Sequence, residues 1–158
     1  MTEAEETSST PTSPPARVKR KNGGVRVIGV IIAVIGLLFL VAGVGTYAVV
    51  SMTLADENIT VSDDANWFAG EDVTGPFTAF SQADIIAEHA EGIADGQTYA
   101  EMDQDDPNRE AVMDASFLRA SLFTSVVAFG VAAFVAVMGV VLMLLGWALI
   151  RLGRPVAA

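Results

Sequence analysis

The chain has 158 residues, 52% of them hydrophobic, and a formal charge of −10, so its apolar and charged residues must be segregated and its polar part can build one small domain at most. Sixteen Asp and Glu between positions 51 and 120 face only Arg109 and Arg119, which makes that segment repel phosphate and excludes nucleic acid as a good partner. The absence of cysteine excludes disulfides, thiolate metal sites and cysteine nucleophiles.

Residues 1–24 read as a disordered cytoplasmic tail. They are rich in Thr, Ser, Pro, Glu and Ala, with Pro11, Pro14 and Pro15 closely spaced and no apolar periodicity, so they cannot bury enough surface to offset ordering entropy. The basic run Arg17, Lys19, Arg20 and Lys21 then meets an apolar stretch, Val27 to Val50, predicted as a first transmembrane helix over 25–50. Small residues at Thr53 and Ala55 would suit cleavage of a signal peptide, but the run is too long and its leader too extended for that form. A retained anchor is the expectation.

The second apolar stretch, Leu122 to Ile150, holds 29 residues without one ionisable side chain and predicts a transmembrane helix over 121–152. A helix rises about 1.5 Å per residue and the hydrocarbon layer is about 30 Å thick, so about 20 apolar residues suffice and both stretches qualify. Lys and Arg accumulate before the first and after the second, including Arg26, Arg151 and Arg154. The positive-inside rule places both termini, with a short tail at 153–158, in the cytoplasm and residues 51–120 outside. Arg119 is the one nearby charge that argues against this orientation.

Small residues recur in register along both spans: Gly29, Ala33, Gly36 and Gly43 on the first, and Ser125, Ala128, Ala132, Ala136, Gly139 and Gly146 on the second. They let two backbones approach closely where lipid removes the hydrophobic driving force. The expectation is that the spans pack on each other; docking of a second copy or another partner is the alternative. Neither apolar run, Val27–Val50 or Leu122–Ile150, carries an acidic, basic or histidine residue, so a channel or transporter formed by this chain alone is not expected.

In the acidic middle segment, Ile59–Val61 suggests one short strand and Gly75-Pro76 a turn. Trp67, Phe68, Phe77 and Phe80 are expected to form a small core against the helices that follow; the alternative is the membrane interface, where aromatic rings are favoured. Helical periodicity over Phe80–Asp95, with Ser81 as cap and Gly96 as stop, sets Asp84, Glu88, Glu91 and Asp95 on one face and Ile85, Ile86, His89, Ala90 and Ile93 on the other. The four carboxylates are the weak candidates for a divalent metal. A solvated face is the expectation, because calcium sites need oxygens converging from a turn.

His89, the single histidine, is expected to be packed or interfacial, with no second imidazole to complete a zinc or non-haem iron set. Thr98 and Glu101 have the spacing of a capping box. Asp106 is expected to cap a helix whose first position is Pro107 and which continues unbroken to about Leu152, a rigid strut with its first turns outside the membrane.

Leu54–Ala65 and Ala115–Gly130, with Phe68-Ala-Gly70 and Gly75-Pro76, resemble a family of small two-span membrane proteins from high-GC Gram-positive bacteria over about residues 25–152. Members often carry the label of an aromatic ring-opening dioxygenase small subunit, which implies a helical subunit working beside an iron-bearing large one. The chain departs from that label by its two spans, and no matched motif carries a catalytic residue onto it.

The sequence thus predicts a mainly α fold: a membrane helical hairpin of two transmembrane helices with a small, mostly helical extracytoplasmic cap. The expected function is non-enzymatic, an accessory or interaction subunit of a cell-envelope complex. Its partners would be the lipid bilayer and an unidentified membrane or envelope protein, with a homo-oligomer as an alternative and no cofactor. Two other readings stay open: an enzyme-associated subunit, as the dioxygenase resemblance implies, and a cation- or pH-responsive sensor built on the acidic segment, since an imidazole titrates near neutrality.

Overall fold

The computed structural model describes residues 23–154. The expected disordered tail, apart from its last two residues, and positions 155–158 lie outside the described residues. The fold is mainly α: helix α1 spans Gly23–Asp56, α2 Pro76–Ile93 and α3 Arg109–Leu152. Helices α1 and α3 are each long and apolar enough to cross a membrane, and they pack against each other as an antiparallel hairpin. Helix α2 packs on α3.

The hairpin is held at backbone distance. Gly29, Gly36 and Gly43 are buried on α1, and Ala132, Gly139 and Gly146 are buried on α3. Both sets recur every seven residues, which keeps one stripe of each helix facing its partner when the pair supercoils left-handedly. A methyl group built on Gly36 would lie 2.7 Å from the Gly139 carbonyl oxygen, and one on Gly139 would lie 2.6 Å from the Gly36 carbonyl oxygen. Gly29 meets Gly146 and Gly43 meets Ala132 and Ala136 in the same way, and Gly146 also approaches Ala33. The expected packing of span on span is therefore realised by the glycines, Ala33, Ala132 and Ala136. Ser125 instead lines a hollow on the cap side of the seam, and Ala128 is half-buried.

Helix α3 has 44 residues, about 66 Å at 1.5 Å per residue, and runs without a break past the expected membrane boundary. The expected strut is present. Its start falls two residues later than expected, because Asp106 Oδ1 accepts the Asn108 N–H at 2.7 Å and holds Pro107–Asn108 as a turn before the regular helix begins at Arg109.

Helix α2 starts four residues earlier than the sequence predicts. Pro76 occupies its first turn, where a missing N–H costs nothing, and the Thr78 hydroxyl accepts the Gly75 N–H at 3.2 Å. Ser81 consequently lies inside the helix, buried, with its hydroxyl donating to the Trp67 carbonyl at 2.5 Å. The inward face agrees with expectation in part: Ile85 is buried and Ile86 and Ala90 half-buried, but His89 and Ile93 are exposed, and Ala79, Ser81, Gln82 and Ala83 are buried beside Ile85. Small residues win this face because they allow α2 to approach closely, and Gln82 is satisfied by the Ser62 N–H at 2.9 Å.

Between α1 and α2 the predicted strand shrinks to an isolated antiparallel bridge, Thr60 with Asp72. Val61 N–H donates to Glu71 O, Gly70 N–H to Val61 O and Val73 N–H to Ile59 O. This pairing turns Val61 and Val73, each 1% exposed, onto Leu54, Ala79, Ala83 and Leu122. Such burial contributes about 1.5–3 kcal/mol per side chain and joins cap to hairpin in one core.

A second, smaller core is Ala94, Met102 and Val112 with Tyr99 against it. Arg109 closes it. Its guanidinium donates to the carbonyls of Tyr99 and Met102 and stacks over the Tyr99 ring at 4.3 Å. Thr98 N–H and hydroxyl both donate to Glu101 Oε2, at 2.9 and 2.8 Å, while Glu101 N–H donates to the Thr98 carbonyl, so half of the predicted box forms, around a turn rather than at a helix start.

Two outcomes are expected. Gly36→Val should destabilise the hairpin by about 1–3 kcal/mol through overpacking, whereas Gly45→Val, which meets open space, should leave it unchanged; thermal melting in mild detergent compares them. Arg109→Met should lose about 1.5–3 kcal/mol through its charged hydrogen bonds, with faster amide exchange at 98–102 than in the wild type.

Candidate interaction surface

Helix α2 runs antiparallel to the projecting part of α3, and three contacts fix its height. The Phe80 and Phe123 rings meet edge to face at 5.7 Å, Ile86 and Ala115 line one cleft, and Asn108 Nδ2 donates to the Ile93 carbonyl at 3.2 Å. From Phe80 to Ile93 the helix climbs about 20 Å along α3, at 1.5 Å per residue.

Its outward face changes character along that climb. At the lower end Trp67, Phe68, Phe77 and Phe80 surround a cleft of about 190 Å³ with Ser81 and Asp84. The expected small aromatic core does not form: Trp67 is 71% exposed and Phe77 73%, and Phe68 and Phe80 are also exposed. The core position is taken by Val61, Val73 and the alanines of α2, whose small side chains bring loop and helix too close for rings to enter.

Above the rings come the carboxylates. Asp84, Glu88 and Glu91 are exposed along α2, but Asp95 lies beyond its end, in a turn with φ +50°. The row of four is therefore three. Among the described residues no three Asp, Glu or His side chains converge as a metal ion requires.

His89 is exposed rather than packed. Its Nε2 lies 2.6 Å from Asp64 Oδ2, tying the 57–75 loop to α2. A carboxylate only accepts, so the imidazole donates, and this bond holds the Asp64 carboxyl below the usual aspartate range. The Thr98 backbone and side-chain bonds lower Glu101 in the same direction. Nothing in the sequence pairs His89 with a residue 25 positions away, since only the folded loop brings Asp64 to it.

Between the upper end of α1 and α3 lies a hollow of about 390 Å³, walled by Leu54, Ile59, Ile86, Leu118 and Leu122 and edged by Glu57 and Gln82. It opens beyond the cap-side end of the glycine seam, with Ser125 and Leu122 in its lining.

Comparisons with known protein families, with curated proteins and with solved structures found no match for this chain.

The depressed Asp64 carboxyl has a defined consequence for pH. Since the native group titrates below the unfolded one, its stabilising bond is fully present above the unfolded-state value and is lost as pH falls through the lower native value. Carboxyl-resolved NMR should find the Asp64 midpoint rising toward the ordinary aspartate value in His89→Ala. An unchanged midpoint would mean that the pair does not form in solution.

Proposed function

We propose that this chain is a two-span membrane protein without catalytic activity of its own, serving as an accessory or interaction subunit of a cell-envelope complex. Both termini face the cytoplasm and residues 51–120 face outward. Support for the orientation comes from charge. Arg26 touches Gly153 at the end where Arg151 and Arg154 also lie, while all 16 middle-segment carboxylates belong to the other end.

One observation carries the interaction reading: Asp84, Glu88 and Glu91 stand exposed along α2, which is held on the projecting part of α3. None has an ion-pair partner among the described residues. A rigid, uncompensated acidic face suits a basic surface on a partner protein, since such complementarity guides encounter and fixes register. The glycine seam is occupied by the hairpin itself, so it is not the surface left for recognition. The lone imidazole is engaged by Asp64.

The absence of native cysteine permits a direct test of orientation. Ala100→Cys should react with a membrane-impermeant maleimide added to intact cells, and Arg154→Cys only after permeabilisation. For the partner, neutralising α2 with Asp84→Asn, Glu88→Gln and Glu91→Gln should abolish recovery of proteins that co-purify with the wild type in mild detergent. Recovery of the same proteins by both forms would count against the acidic face. Stoichiometric iron in the purified complex, with catechol cleavage, would instead favour the enzyme-associated reading.

A further inference from the structure

We infer that Trp67, Phe68, Phe77 and Phe80 form a ledge that rests in the interfacial layer of the lipid leaflet on the cap side, so that the bilayer itself is the occupant of this surface. The inference rests on reading α1 and α3 as membrane spans.

Height along α3 is the first argument. Trp147, with the Arg151 guanidinium 4.3 Å from its ring centre, has the composition of a membrane boundary at the far end. About 20 residues of helix cover the 30 Å hydrocarbon layer, so the cap-side boundary falls near Val127. Phe123 then sits one turn above it, in the headgroup layer, and it is Phe123 that the Phe80 ring touches. On α1 the Ser51 hydroxyl donates to the Thr74 carbonyl at 2.7 Å, which fixes the entry to α2 at the end of the first apolar run. The ledge is thus continuous with the lipid-facing wall of the hairpin.

Chemistry supplies the second. Four aromatic side chains exposed together are costly in water, and the interface is where rings with one apolar and one wet side are favoured. Arg119 lies beside them, its guanidinium 5.5 Å from the Phe123 ring, at the level of lipid phosphates. The carboxylates of α2 do not oppose this placement. Asp84 comes one turn after Phe80, about 6 Å higher, and Glu88 and Glu91 are higher still.

Backbone conformation is the third. Phe68 has φ +57°, a left-handed conformation that costs a bulky residue about 1–2 kcal/mol. The Glu71 N–H to Phe68 carbonyl bond holds the turn. The turn thus presents an aromatic ring beside Trp67 at a position where glycine would be relaxed.

Trp67 and Trp147 are the two tryptophans of the chain, which makes the test specific. The full chain is reconstituted in phosphatidylcholine vesicles with acyl chains brominated close to the headgroup. Trp147→Phe leaves Trp67 as reporter, and Trp67→Phe leaves Trp147. Bromolipid should quench both reporters, with Trp67 emission blue-shifted relative to water and protected from iodide, and Phe77→Ser with Phe80→Ser should restore iodide access to Trp67. If Trp147 is quenched by bromolipid while Trp67 answers only to iodide, the lipid assignment is overturned, the membrane reading stands, and the ledge is left to a protein partner. If neither is quenched and the protein does not float with the vesicles, the membrane reading falls and the ledge assignment with it.

Discussion

Close approach of two helix backbones is the constraint on which the rest of this structure depends. Gly29, Gly36 and Gly43 on α1 meet Gly146, Gly139 and Ala132 on α3 so closely that a single added methyl would fall within 3 Å of the opposite backbone. For helices long and apolar enough to cross a membrane, such contact would supply the association that lipid gives no hydrophobic drive for. It also sets the register of the hairpin, and the register in turn places Leu54 opposite Leu122 and Tyr47 against Phe129, whose rings lie 4.7 Å apart.

From that register the cap follows. Helix α3 continues past the seam for several turns, and α2 lies along this extension while the 57–75 loop fills the angle between α1 and α3 with Val61 and Val73. The cap therefore depends on the hairpin for its larger core. Its largest buried cluster is shared with the hairpin, and its second is locked by Arg109, a cation within a strongly acidic segment. One consequence is a division of labour along α2: small buried residues inward, rings low on the outward side, carboxylates higher.

Much of the architecture was legible in the residues. Two charge-free stretches, the small residues in register along each, and the unbroken helical pattern after Pro107 are all properties of residues close together in the chain. Less of the cap was legible. Its aromatic residues carried the strongest hydrophobic signal and were expected inside, yet alanines 79 and 83 occupy the core because close approach outweighs the area a ring could bury. On α2, periodicity picks out Ile85, Ile86 and Ala90, which do turn inward, but it also ranks Ile93 and His89 above Ser81 and Gln82, whose buried polar atoms are satisfied by loop backbone partners at Trp67 and Ser62.

By itself, then, the sequence determined the fold class, the two long apolar helices, a stripe of small residues on each and the concentration of negative charge in the segment between them. These follow from composition and period, which are properties of neighbours in the chain. Only the tertiary structure decided that His89 meets Asp64, that Arg109 clasps the 98–102 turn, that Asp95 leaves the acidic row and that four rings face outward. Each depends on which segments lie side by side after the backbones have closed together, and that distance is set by the whole hairpin rather than by any one residue.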